Sequence, residues 1–559
     1  MPYISIIFLL LGGLLSTTTL IADTPSQKSS VTITLDGNNL TPERVEKIAQ
    51  GLAPVQIDEK AMLRVQKSYD VLMLAASQGQ AIYGLTQGVG QNKDQEMVKV
   101  ENGKLSDEVL KLSETFNIGL IHAHTAGVAP EMPMTTVRAI MTTRLNSILY
   151  GATGAQPKVA EMYRDFLNHR ITPVLPSRGS VGQADITLIT HIGLAMIGEG
   201  EVYYQGQRMK AVDALRQVGL EPLKPVGKDS LAILSSNAYS EALAALSLAE
   251  LEHLATVSKL VFALSLEALN GNIEPFLRDA QQVRPFPYVN KAAETLRAIL
   301  EGSYLWDQSE SRALQDPLSY RTGAYILGSL DRALAEAQDM LRIQLNSSDD
   351  NPGVMLDVTA PSKHYEEESH YATGDELSGA VIPTANFSPL PWVISFERLG
   401  IALSHMSSAS AQRIIKLSDS HFTHLSRFLG TDKTVHAYGA IQKVFTSLSA
   451  ENRELANPVS VDYFAIAGNI EDVATNAPRV MRRVHKMVDN LYYILGMEMM
   501  HAAQAIDLRL KQSPTLKLAT KTLAFFKAFR EPVSFMEVDR TLTYDIEQAY
   551  LFLKNYQLN

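Results

Sequence analysis

The chain contains no cysteine. That single absence removes thiol nucleophiles, thiolate metal sites and disulfides together, leaves stability to packing, and suits an oxidising compartment. Basic runs are missing too: Lys and Arg total 50 against 60 Asp and Glu, a formal charge of −10. A surface of that sign without a basic stretch excludes nucleic acid as the natural partner. There is also no apolar run of the roughly 20 residues that a membrane-spanning helix needs. The nearest is Ile4 to Leu15, which Ser16-Thr17-Thr18-Thr19 interrupts before Leu20-Ile21-Ala22. An apolar core ending in small residues has the form of a signal peptide, so residues 1–22 are expected to direct export and to be cleaved near Ala22. No Lys or Arg precedes that core and Leu20 is a mediocre residue three before the cut, so retention as an anchor is the rival reading. With cleavage, no stable anchor is expected to remain.

What is present is a long, apolar-rich chain of 559 residues, 46% of them hydrophobic, enough to bury one very large core or two ordinary ones. After a polar linker over 23–30, a catalytic-loop region is expected over 31–270 and a helical bundle over 271–559, the two forming one cooperative unit. From Glu241 onward apolar residues recur at three and four, as in Leu254, Val257, Val261, Leu264 and Ala268, and Asn270-Gly271 supplies a left-handed stop. A second long helix is expected after Asn476, with Pro478 in its first turn. Val480, Val484, Met487, Leu491, Ile494 and Leu495 line one side of it, and Arg479, Arg482, Arg483 and Lys486 the other. Strand alternation is confined to short pieces such as Val31–Leu35 and Glu201–Tyr204. The fold class is therefore mainly α. The polar stretch Pro361–Ser378 interrupts the helical pattern and reads as a surface insertion.

Three glycine-containing loops stand out: Tyr83-Gly84-Leu85-Thr86-Gln87-Gly88-Val89-Gly90, Gly179-Ser180-Val181-Gly182-Gln183-Ala184-Asp185 and Gly198-Glu199-Gly200. None carries the lysine of a phosphate-binding loop or the strand and acidic ribose ligand of a dinucleotide site, which disfavours nucleotides. The pairs His421/His424 and His364/His370 lack a recognised ligand spacing, so no metal is expected.

The order of these segments resembles the histidine/phenylalanine ammonia-lyase family over roughly Leu35 to Leu510. The Tyr83 loop is similar to the family's Tyr-Gly-x-x-Thr-Gly-x-Gly, and His124-Thr125-Ala126-Gly127 to its His-Ala-Ala-Gly. Gly179-Ser180-Val181-Gly182 stands at Gly-Ser-Val-Gly. Gln315-Asp316-Pro317-Leu318-Ser319-Tyr320-Arg321 and Asn346-Ser347-Ser348-Asp349-Asp350-Asn351-Pro352 match two later motifs, and Asn469-Ile470-Glu471-Asp472 and Ala502–Arg509 close the series. The resemblance implies a long central helical bundle and a homotetramer whose sites draw on several subunits. It also implies that Tyr83 removes a β-proton, that Arg321 holds a substrate carboxylate, and that His124 and Glu471 line the ring end. Ser235, Asn351 and Phe387 join the substrate-binding set. These roles suit the side chains, because a phenolate is a strong base and a guanidinium binds carboxylate through two hydrogen bonds.

The chain departs from the family at its centre. Relatives carry Ala-Ser-Gly, which cyclises into methylidene-imidazolone, the electrophile that captures the substrate amine. Here Gln183-Ala184-Asp185 offers no Ser-Gly pair, and Ser180 precedes the hindered Val181, so the group is expected to be absent. Lys443 appears where relatives are apolar and is a candidate partner for Glu471 in polarising a ring. Without the electrophile a primary ammonium would surrender N–H protons before a β C–H. A trimethylammonium has no N–H and leaves as a neutral amine. The expected reaction is loss of an amine from an aromatic amino acid or its N-trimethyl betaine, giving an arylacrylate such as urocanate. This is similar to the chemistry of ergothionases, which expel trimethylamine from ergothioneine. A direct ammonia-lyase and an inactive ligand-binding homologue remain the alternatives.

Overall fold

The computed structural model describes residues 31–97 and 107–557. The expected signal segment and linker fall outside these residues. Helices dominate, and one apolar core runs from Leu35 to Leu553 across the expected boundary at residue 270.

The longest helices follow from their patterns. Ala238–Leu269 begins three residues before Glu241 and is buried nearly all round, as apolar residues on every face require. It stops where Asn270 adopts a left-handed φ of 62°. Ala477–Gln512 starts after Asn476, itself left-handed at φ 49°, and Pro478 sits in the first turn. All six apolar residues of its expected face are buried. The arginines opposite do more than meet solvent: Arg482 donates to the Ser177 carbonyl (2.7 Å) and Arg483 to that of Leu455 (2.8 Å). These two helices pack along one another, and Leu390–Leu417 and Gly323–Leu345 extend the bundle. Inside it, Arg413 from Leu390–Leu417 forms a two-toothed ion pair with Glu498 at 2.5 and 2.7 Å.

Sheets are small and peripheral. Ile33–Leu35 pairs parallel with Val55–Ile57, and Glu201–Tyr204 pairs antiparallel with Gln207–Lys210. The stretch 361–378 is a surface insertion only in its first half. Tyr371–Thr373 joins Ser378–Ile382 and Gly353–Leu356 in a three-stranded sheet, and Ala372 is buried against the Glu59–Ser77 helix. The alternation of one buried residue between two partly exposed ones was too short to register as a strand in the sequence. No helix among the described residues is long and apolar enough to cross a membrane, and no group of three or more His, Asp or Glu is placed to hold a metal ion.

The catalytic-loop half is tied to the bundle by a buried charge cluster. Arg144, within the Met134–Leu149 helix, binds Asp349 at 3.0 Å and Asp350 at 2.8 Å and also donates to the Ala232 carbonyl. Lys228 donates to the Thr153 carbonyl at 3.0 Å beside them. Removing Arg144 would leave two buried carboxylates without their main counter-charge or solvent, although each keeps neutral hydrogen bonds, Asp349 to Ser236 and Asn237 and Asp350 to Thr153. Arg144→Met should therefore cost about 3–5 kcal/mol of unfolding free energy, read from urea denaturation; a loss under 1 kcal/mol would refute the cluster's role. His501 is a second buried titrating group. It donates through Nδ1 to the Met497 carbonyl (2.7 Å), and burial lowers its pKa to about 4 from 6.5. Below pH 6.5 the unfolded chain takes up a proton that the fold resists. Stability should thus fall by about 1.4 kcal/mol per pH unit between 6.5 and 4 from this residue. The His501→Phe variant, which keeps the contact with Tyr438, should lose that slope relative to wild type; equal slopes would refute the assignment.

Candidate active site

The Tyr83 loop is held by backbone hydrogen bonds, with the Thr86 and Gln87 amides both donating to the Ile82 carbonyl at 3.0 Å, and by one hydroxyl. Thr86 Oγ1 accepts the Ile82 amide at 2.7 Å and donates to the Gln80 carbonyl at 3.1 Å, closing the turn around Tyr83. Gly84 has φ 75°, and a Cβ there would come 2.4 Å from the Leu231 side chain. The loop therefore requires glycine for both reasons. Its far end returns so that the Gly90 amide donates to the Tyr83 hydroxyl at 2.8 Å. Burial pushes the phenol pKa above 10.0; the Gly90 hydrogen bond opposes the rise and the charge of Glu471 adds to it.

The Gly179–Asp185 loop docks on the start of the Ala477–Gln512 helix. Asn476 donates its amide to the Val181 carbonyl at 2.7 Å, and Gly182, at φ 76°, leaves no room for a Cβ, which would lie 2.4 Å from the Ala477 nitrogen. Ser180 donates to Asp185 at 2.6 Å. Asp185 is fully buried and accepts the Ser240 amide (2.8 Å), so it caps the Ala238–Leu269 helix from another segment. Burial raises its pKa to about 6 against the pull of these hydrogen bonds. Ala184 takes a left-handed φ of 61°, and its amide donates to Asn237 Oδ1 at 3.2 Å.

These two loops face one cavity of about 540 Å³, within the size range of small-molecule sites. Tyr83, His124, Gln183, Ala184, Ser235, Asn351, Phe387 and Glu471 all line it. His124 ends the Asp107–His124 helix and donates from Nδ1 to the Leu120 carbonyl at 2.9 Å, which leaves Nε2 free of that bond. Ser235 ends the short Asp229–Leu234 helix. Asn351 Oδ1 accepts the Thr384 amide (2.8 Å), and the Phe387 carbonyl accepts from Asn237 Nδ2 (2.7 Å). Glu471 lies on a reversal in which its backbone bonds to Ile466 and its carbonyl accepts the Tyr463 hydroxyl. Asp185 lies beneath the lining, holding the loop.

Arg321 and Lys443 stand apart from this cavity within one chain. Arg321 ends Leu318–Arg321 and donates to Gln315 Oε1 at 2.7 Å, while its buried Nε has no partner among the described residues. Lys443 lies in the first turn of Gln442–Leu455 beside a different hollow, with Phe428, Thr434 and His436.

Sequence reasoning missed Lys93, which lines the cavity and pairs with Asp94, and Asn237. Ser236-Asn237 before a long helix reads as an ordinary N-cap, yet the Asn237 side chain makes no cap bond and instead joins Ala184 to Phe387. Only the fold brings those three segments together.

The family model for aromatic amino acid lyases matches residues 40–531. Histidine ammonia-lyase from Geobacillus thermodenitrificans (strain NG80-2) is 31% identical over 525 residues, covering 93% of this chain and 97% of that protein. Ergothionase from Treponema denticola, an ergothioneine degrading enzyme solved with desmethyl-ergothioneine sulfonic acid, is 40% identical with a TM-score of 0.82, covering 94% and 99% of the two chains. Tyrosine aminomutase from Streptomyces globisporus is 27% identical, also with a TM-score of 0.82, covering 94% and 97%. The chain belongs to the aromatic amino acid lyase family and is by that membership a carbon–nitrogen lyase.

Proposed function

We propose that this lyase eliminates a tertiary amine from an N-trimethyl aromatic betaine of the ergothioneine type, yielding a urocanate-like arylacrylate without methylidene-imidazolone. The observation that carries the reading is the pairing of an intact base loop with an altered amine side. Tyr83 reaches the cavity, whereas Gln183 and Ala184 occupy the lining where relatives carry the cyclising residues. The residues present do not fit that prosthetic group: no Ser-Gly pair exists there, and the nearby Ser180 hydroxyl is committed to Asp185. The likeness to the Treponema denticola ergothionase supports the same substrate class.

In the proposed reaction the Tyr83 phenolate takes the β-proton, the C–H electrons form the Cα=Cβ bond, and the C–N bond breaks to release a neutral amine. His124 and Glu471 face the ring and polarise it. Arg321 holds the carboxylate and Lys443 assists Glu471, both supplied by other copies in a homotetramer, since a single chain leaves them away from the cavity. In support, the segment carrying Glu471 displays Val461, Phe464 and Val473 to solvent, with Phe464 85% exposed. Several large apolar side chains exposed on one segment suit burial against another chain. Export to the periplasm or beyond is proposed from the sequence of residues 1–22 alone.

Incubation with histidine, phenylalanine, hercynine and ergothioneine separates the readings by arylacrylate absorbance and released amine. Trimethylamine from a betaine is the expected result. Ammonia from a primary amino acid at a comparable rate would establish a direct ammonia-lyase, and silence on all four would favour a ligand-binding homologue. Tyr83→Phe should lower kcat and kcat/KM together by about 10²-fold or more with little change in KM. Undiminished turnover in that variant would move the base elsewhere.

A further inference from the structure

Gly90 supplies the amide that reaches the Tyr83 hydroxyl, yet the space beside it is open: a Cβ there would meet nothing within 4 Å beyond its chain neighbours. Its neighbours therefore set its place. On one side Val89 packs in a small apolar cluster with Leu120, Leu231 and Leu234. On the other the Gly90–Asn92 turn folds over its own loop. The Asn92 amide donates to the Val89 carbonyl at 3.0 Å, the Lys93 amide to that of Gly90 at 3.2 Å, and the Asn92 carbonyl lies against Gly88.

Gln91 carries this turn onto the opposite wall of the cavity. Its side-chain amide lies over Gly468, in the Ala467–Asn469 turn, so closely that a Cβ at 468 would come 2.9 Å from Cδ and 3.1 Å from Nε2. Gly468 also has φ 69°, so the position requires glycine for its backbone and for the approach of Gln91. Gln91, Ala467, Ile470 and Glu471 all line the cavity. The two turns thus meet at its rim. One delivers an amide to Tyr83, and the other leads to Glu471.

From this contact we infer that Gln91 is a positioning residue for the elimination: resting on Gly468, it holds the Gly90 amide on the Tyr83 hydroxyl. The inference rests on Tyr83 being the base, as proposed above. An amide donor favours phenolate over phenol, so a looser Gly90 leaves the base harder to ionise. Gln91 exchanges no proton and acts through Gly90. The contact is one of packing, so an unbranched side chain of similar length should serve as well.

Gln91 is exposed, so its replacement should leave the fold intact. Gln91→Ala should lower kcat about tenfold with KM within about twofold, and Gln91→Met should restore it. Gly468→Ala, which drives a methyl into Gln91, should also lower kcat, and by a smaller factor when Gln91→Ala is already present because that clash is then relieved. Full kcat in Gln91→Ala, a loss confined to KM, failure of Gln91→Met to restore turnover, or strictly multiplicative losses in the double variant would each overturn the assignment. Fluorine spectra of protein labelled with fluorotyrosine read the base directly, the Tyr83 signal being the one that Tyr83→Phe removes. In Gln91→Ala that signal should titrate about one pH unit higher, and an unmoved titration would overturn the assignment whatever the kinetics. Silence of the wild type on every candidate substrate removes the proposed reaction, and the titration still decides whether Gln91 holds the Gly90 amide in place.

Discussion

The start of the Ala238–Leu269 helix is the point on which the structure depends. Its free amides concentrate positive potential deep in the protein, where water cannot answer them. Two carboxylates from distant segments do so instead. Asp185 accepts the Ser240 amide, and Asp349 accepts the Asn237 amide at 2.6 Å and the Ser236 hydroxyl at 2.8 Å. Asp349 in turn shares Arg144 with Asp350. A helix terminus, two loops and the Met134–Leu149 helix are thereby fixed relative to one another by interactions that fail badly if any partner is lost.

This arrangement releases Asn237 from capping. With the Ser240 amide, the usual target of a capping side chain here, satisfied by Asp185, the Asn237 side chain is available to hold Ala184 on one side and Phe387 on the other. The left-handed turn at Ala184 would be strained in isolation, since an alanine there meets its own backbone. The Asn237 bond and the Gly182 packing offset that strain and set the side chains that face the cavity. The rigid part of the fold therefore reaches the chemistry through a short series of hydrogen bonds.

The long helices were legible because period and stop signals agree: apolar spacing, Asn270 at one end, and Pro478 at the start of the other. Most of the site was legible only through the order of its motifs, and the structure places Tyr83, His124, Ser235, Asn351, Phe387 and Glu471 around one cavity. Other features had no local signature. Tyr371–Thr373 is a strand because a neighbouring strand and a helix bury Ala372, and three polar-flanked residues cannot announce that. Asn237 and Lys93 gain their places from tertiary contact. Arg321 and Lys443 face the converse limit, because one chain folded alone does not bring them to the cavity that the family resemblance assigns them.

The electrostatics around Tyr83 bear on the proposed betaine substrate. Removing a β-proton requires phenolate, and both burial and the Glu471 charge favour the neutral phenol; only the Gly90 amide pulls the other way. A cation brought beside the hydroxyl shifts that balance toward phenolate. A primary ammonium would bring the charge together with protons that the phenolate removes first, which cancels the gain. A quaternary ammonium brings charge alone. In the proposed betaine elimination the property that makes trimethylamine a neutral leaving group also helps to ionise the base, so the proposed loss of the electrophile and the retained buried tyrosine are compatible parts of one site.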